Sequence, residues 1–274
     1  MEGIKSQVLP ADINSDFIQL AQLTDKMAER KAFNELLRAT VYGSEIYEEF
    51  STFSTTNAVV WIDPLDGTKD FTMGNLSAVT VLIGLAIDGV PKIGVVHNPF
   101  KTNENDGRGS TIFGTQEHGA FLLDFNSSMD KQELLARVPC YISPFDLEQQ
   151  FGEDHKIKAA CSLSHFNATM QQTIEQLAPV EICRLGGAGN KVCRIALSEV
   201  DSYVQPAPGL GFWDLCGPEA IVRAMGGLCT DFNGKRLLYH PSLKPTLPSF
   251  CIGKTKNQHT EIMRRLKLIK QAVL

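Results

Sequence analysis

The chain has 274 residues, 43% hydrophobic and 21% charged, with a formal net charge of −5. That is enough for one large domain or two packed subdomains around a sizeable core. No long basic run or basic helical stripe offsets the acidic balance, which argues against a nucleic-acid polymer or an anionic membrane as partner; a small polyanionic ligand would have to be met by a few placed cations or by metal ions.

Residues 16–38 carry apolar positions at helical spacing (Phe17, Leu20, Leu23, Met27, Phe33, Leu36, Leu37) and predict one amphipathic helix. Residues 58–63 read as a strand ending in an acid. The β-rich runs 77–87 and 93–97 are joined through Asp88-Gly89, a strong hairpin signal, and 112–113 with 120–123 extend an antiparallel sheet. A mixed stretch punctuated by Pro139 and Pro144, residues 131–156, marks a subdomain boundary. Beyond it, strands at 158–161, 182–185, 202–205, 227–231 and 250–253 alternate with helices at 166–177, 190–199, 218–225 and 259–272, the pattern of an α/β layer. The expected organisation is an N-terminal α+β metal-binding subdomain, 1–135, and a smaller C-terminal α/β substrate-binding subdomain, 136–274.

Seven cysteines are scattered without a CxxC pair, which speaks against a disulfide framework or zinc site and for a reducing compartment. The longest apolar stretch, 79–87, is too short to span a bilayer, and the first residues have no apolar signal core. The expected location is the cytoplasm.

The most informative segment is Asp63-Pro64-Leu65-Asp66-Gly67-Thr68. Pro64 fixes φ and Gly67 permits a tight turn, so two carboxylates behind a buried strand can converge. Convergent carboxylates with a backbone carbonyl between them suit a hard cation such as Mg²⁺, and the Thr68 hydroxyl can orient a water. A bare pair of acids at this spacing also suits an ordinary turn that caps a helix.

This segment resembles the signature of the lithium-sensitive, Mg²⁺-dependent phosphatases: the inositol monophosphatases, inositol polyphosphate 1-phosphatases and bisphosphate nucleotidases. A second segment, Trp213-Asp214 through Pro218-Glu219 to Gly226-Gly227, resembles the same family. The resemblance implies a layered α-β-α-β-α sandwich and two or three Mg²⁺ ions held by Glu45, Asp63, the Leu65 carbonyl, Asp66 and Asp214, with Glu48 and Glu49 as poorer substitutes for Glu45. It also implies sensitivity to lithium and a further helix before the point that matches Met1. Within the family, Leu185-Gly-Gly-Ala-Gly-Asn-Lys191 and Ser162-Leu-Ser-His165 are most similar to the bisphosphate nucleotidases. By that likeness Ser162, Ser164, His165, Gly187, Lys191 and Asp214 contact substrate.

One position departs from the family pattern. The Asp that accepts the proton of the attacking water falls at Gln22, whose amide is not appreciably basic; Asp25 lies three residues on, near the same helical face. The expected activity is removal of the 3′-phosphate of adenosine 3′,5′-bisphosphate by attack of water, with Thr68 orienting that water and no covalent intermediate. An inositol polyphosphate 1-phosphatase is the alternative, and a weakly active relative that binds metal and a phosphorylated ligand is a third reading. The partner is a small phosphorylated metabolite, and the assembly a monomer or homodimer.

Overall fold

The computed structural model describes residues 57–102, 108–125, 139–146, 156–163, 168–178 and 180–272, all within one compact unit, Ser54–Leu274. The helix expected at 16–38 and the boundary expected between 135 and 136 lie outside the described residues.

Six strands form an antiparallel meander in chain order: β1 (Ala58–Asp66), β2 (Thr80–Ile87), β3 (Val90–Thr102), β4 (Arg108–Thr115), β5 (Gly119–Asp124) and β6 (Cys140–Ile142). The β2–β3 hairpin turns on Asp88 and Gly89, with φ of 51° and 74°, the positive pair that a tight right-twisted hairpin needs. A second sheet contains β7 (Ile157–Ser162), β8 (Val180–Leu185), β9 (Ser202–Gln205), β10 (Leu228–Asp231) and β11 (Phe250–Gly253) in the order β10-β11-β9-β7-β8. In it β7 runs parallel to β8 and β9, whereas β9, β11 and β10 are antiparallel.

Among the described residues the α-helices are α1 (Thr68–Thr72), α2 (Ala168–Glu175), α3 (Ala188–Ala196), α4 (Phe212–Ala224) and α5 (Lys256–Ala272). One core joins Leu82, Val96 and Ile112 of the first sheet to Val192 and Ile195 of α3, Leu215 and Ile221 of α4, and Tyr203 and Ile252 of the second sheet. A second core packs Ile157, Ala159 and Val204 against Met170 and Ile174 of α2 and Ile262 and Met263 of α5. Among the described residues the layers are therefore sheet, helices, sheet, helices, the β-α-β-α part of the expected α-β-α-β-α sandwich.

Helix α4 differs from expectation. The sequence pattern predicts a helix over 218–225, but the helix starts at Phe212 and carries Pro218 inside. It is buried almost all round, at Phe212, Leu215 to Val222 and Ala224, and that packing outweighs the local cost of the proline.

This helix rests on the first sheet backbone to backbone. Gly84 and Gly94 are cross-strand partners on β2 and β3. A Cβ on Gly94 would lie 2.0 Å from the Gly217 carbonyl oxygen, one on Gly84 2.3 Å from the Gly217 nitrogen, and one on Gly217 2.4 Å from the Ile83 carbonyl oxygen. No side chain fits there without lifting the helix. Gly94→Ala is expected to lower stability by more than about 2 kcal/mol in urea unfolding, at the upper part of the overpacking range; an unchanged midpoint contradicts the contact.

His259, buried at the start of α5, has its Nε2 3.1 Å from Thr230 Oγ1. Burial pulls its pKa down from 6.5 to about 4. Because the folded value is the lower one, the unfolded chain takes up the proton first as pH falls. The stability contributed is complete above pH 6.5 and is lost towards pH 4. Urea titrations over this window should show wild type losing up to about 3 kcal/mol that His259→Gln does not lose.

Candidate metal centre

The two acids of the first motif do not sit in a turn. Strand β1 runs on through Pro64 and Leu65 to Asp66, and Asp63 pairs with Leu82 while Asp66 pairs with Thr80. Three steps on β1 thus oppose two on β2, a bulge. In a regular strand residues three apart face opposite sides; the extra residue of the bulge turns Asp66 back to the side of Asp63. Pro64, which has no N–H for a ladder, is tolerated because β1 is an edge strand and the site is a bulge. The segment is tied locally: the Leu65 N–H donates to Asp63 Oδ1 at 3.0 Å, and Thr68 Oγ1 donates to the Leu65 carbonyl at 3.0 Å.

Asp66 is buried, and its carboxylate accepts three hydrogen bonds. Thr80 Oγ1 donates to Oδ2 at 2.6 Å, the Gly189 N–H to Oδ2 at 2.8 Å and the Ala188 N–H to Oδ1 at 3.0 Å. The last two are free amides in the first turn of α3, where the helix end favours an anion. Glycines permit this seat: a Cβ on Gly187 would lie 2.4 Å from the Ala78 carbonyl oxygen, and one on Gly189 2.5 Å from Thr80 Oγ1. Burial nevertheless raises the Asp66 pKa, and the Thr80 hydroxyl, the two amides and the charge of Lys191 only partly oppose it.

Asp214 comes from the first turn of α4, where its Oδ2 accepts the Gly211 N–H at 2.6 Å. Oxygens of Asp63, Asp66 and Asp214 lie within 4.8 Å of one another. Burial pushes the Asp214 carboxyl up to about 7, the Gly211 amide lowers it, and the charges of Asp66 and Asp63 raise it further. Three crowded carboxylates with hard oxygen donors fit a hard divalent cation, which relieves their repulsion.

The remaining expected residues divide into two groups. Ser162 is buried at the end of β7, and Gly187 caps α3 with φ 61°. Lys191 is only 4% exposed; its Nζ donates to the Gly187 carbonyl at 2.7 Å and lies 5.0 Å from the Tyr203 ring centroid. Burial lowers its pKa to about 8 against the pull of Asp66, Cys161, Asp70 and Asp214. Glu45, Asp25, Gln22, Ser164 and His165 lie outside the described residues.

Sequence reasoning missed Thr80, which holds Asp66, and Asp70. Asp70 is buried in α1, accepts Asn75 Nδ2 at 2.7 Å, and faces Gly186 so closely that a Cβ there would lie 2.3 Å from its carboxylate. Nothing in the local pattern marks Thr80, since it reads as one more β-rich residue; its partner is set by the bulge.

The two acids of β1 should respond differently to removal of charge. Asp66→Asn turns an amide NH₂ towards donors and should cost about 1–3 kcal/mol of stability as well as cation affinity. Asp63→Asn should lose cation affinity with a thermal midpoint within a few degrees of wild type. Calorimetric cation titration together with thermal melts separates the two, and equal melts for both variants contradict the anchoring role of Asp66.

Residues 6–271 match the inositol monophosphatase family. The 3′(2′),5′-bisphosphate nucleotidase 1 of Homo sapiens is 32% identical over 229 residues, which span 82% of this chain and 67% of that protein. CysQ from Bacteroides thetaiotaomicron superposes with a TM-score of 0.57 at 24% identity, over 76% of this chain and 72% of that one. Inositol monophosphatase-II from Staphylococcus aureus superposes with a TM-score of 0.58 at 18% identity, over 93% and 85%. With the fold, the acidic cluster and the profile match in agreement, the chain belongs to the inositol monophosphatase family.

Proposed function

We propose that this chain is a Mg²⁺-dependent phosphomonoesterase that removes the 3′-phosphate of adenosine 3′,5′-bisphosphate. The observation that carries the reading is the convergence of Asp63, Asp66 and Asp214 within 4.8 Å. The nucleotide preference is supported by the bisphosphate nucleotidase, the relative 32% identical to this chain, and by the Gly186–Lys191 segment.

Asp63, Asp66, Asp214 and the Leu65 carbonyl would hold the metal, and Glu45 is the further ligand that the family resemblance implies. When bound there, Mg²⁺ would supply positive charge against the phosphoryl oxygens and lower the pKa of the attacking water. The chain's own residues do the rest. Thr68 spends its proton on the Leu65 carbonyl, so its lone pairs are left to accept from the water and aim it in line. The family resemblance gives the role of receiving or positioning the water's proton to Asp25 or Gln22. Ser162, Ser164, His165 and Gly187 contact the nucleotide. Lys191, bonded to the Gly187 carbonyl, fixes that turn and places a positive charge behind the acids. In this reading residues 1–135 contribute Asp63 and Asp66, and residues 136–274 contribute Asp214 and the substrate contacts.

Phosphate release from adenosine 3′,5′-bisphosphate and from an inositol polyphosphate, each with Mg²⁺ and with chelator, tests the reading. The nucleotide should be the better substrate, release should need Mg²⁺, and Asp214→Asn should reduce kcat/KM by about 1000-fold or more. Preference for the inositol polyphosphate moves the assignment to the inositol polyphosphate branch, and tight binding of either ligand without turnover makes the chain a binding relative.

A further inference from the structure

The first two residues of α4 are both aromatic and are treated in opposite ways. Phe212 is 3% exposed and meets the rings of Trp61 and Tyr239 edge to face, at centroid distances of 5.3 and 5.4 Å. Trp213 points outward and is 40% exposed. Among the described residues it has no aromatic partner, and its Nε1–H has no acceptor. Trp213 thus offers a large, flat aromatic surface with a free polar handle at the head of the helix that carries Asp214.

Its placement relative to the acids is specific. The indole lies flat on Gly211: a Cβ there would meet Cε2 at 2.3 Å, Cζ2 at 2.5 Å and Cδ2 at 2.7 Å. The amide of the same Gly211 donates to Asp214 Oδ2 at 2.6 Å. One buried glycine therefore seats the ring with its missing side chain and fixes a cluster carboxylate with its N–H. One face of the indole is covered by that backbone, while the residue as a whole stays open to solvent, next in sequence to Asp214.

Resting on the phosphatase reading above, we propose that the indole of Trp213 is a stacking pad for the planar ring of the phosphorylated substrate, and that it favours a nucleotide over an inositol phosphate. Every nucleobase offers a flat π-face of matching size, whereas the inositol ring is puckered and covered with hydroxyls. Base–aromatic stacking also tolerates any base, so the pad selects for a base without choosing which one.

The test compares Trp213→Leu and Trp213→Phe with wild type on adenosine 3′,5′-bisphosphate and on β-glycerophosphate, which has no ring. Loss of the pad should raise KM for the nucleotide about 5- to 100-fold in the leucine variant and less in the phenylalanine variant, with kcat little changed. KM for β-glycerophosphate and the Mg²⁺ titration should stay within about twofold. Binding of adenosine 5′-monophosphate should quench an emission component that wild type has and Trp213→Phe lacks.

An equal rise for both substrates overturns the proposal and makes the indole a support for Asp214. An unchanged nucleotide KM with no quenching also overturns it while leaving the phosphatase reading intact. If wild type releases no phosphate from the nucleotide and adenosine 5′-monophosphate does not quench, both fall together.

Discussion

Helix α4 touches the first sheet through glycine backbone, and the metal centre depends on that contact. Gly217 enters the hollow between Gly84 and Gly94, where the closest approaches leave no room for a methyl group. Ordinary side-chain packing would hold the helix axis roughly 10 Å from the sheet, whereas direct backbone contact brings it several ångströms nearer. Asp214 has a short side chain and lies one turn before Gly217. It reaches the acids at the end of β1 only because the helix is seated so deeply. The buried faces of α4 then fill the space between the two sheets, so the device that places a ligand also organises the main core.

Asp66 links the same centre to the second helix. Its carboxylate receives two amides from the start of α3 and a hydroxyl from β2. An anion buried this way has its lone pairs partly committed, yet burial still raises its pKa, and Asp214 beside it is raised to about 7. The described residues thus gather negative charge that they do not fully neutralise among themselves. Among the described residues Lys191 is a cation whose charge acts on Asp66, and it is turned towards the Gly187 carbonyl. Such a cluster is poorly balanced alone and well balanced around a divalent cation, which is how an acidic protein can come to hold a polyanion.

The parts of this arrangement legible in the sequence are those governed by neighbours along the chain. Asp88-Gly89 dictates its hairpin through backbone sterics, and β9 and β11 were bounded correctly because short apolar runs there end at polar or turn residues. The acids of the first motif were legible as a pair because Pro64 and Gly67 stand beside them. Their geometry was not. Convergence comes from a register slip against β2, which depends on pairing across 14 residues and leaves no mark at Thr80. Pro218 misled for a related reason: its local preference favours a helix start, but burial on all sides extends the helix back to Phe212. The glycines at 84 and 94 read as weak strand residues until the helix lying on them is known.

Gly211 brings these threads together. It is the N-cap of α4, its amide is spent on Asp214, and its bare α-carbon lies under the indole of Trp213. The phosphate-directed end of the site and the ring-directed end are therefore not independent modules. Any movement that tilts the start of α4 shifts the carboxylate and the indole together. Because α4 is locked to the sheet at Gly217, that start has little freedom, and the separation between the two ends is set by rigid helix geometry rather than by flexible side chains. A substrate whose phosphate and ring match this spacing meets a site already arranged, with little ordering cost at binding. Where the spacing does not match, one contact must be given up to make the other. Discrimination between substrates with the same phosphate chemistry then follows from the cap of a single helix.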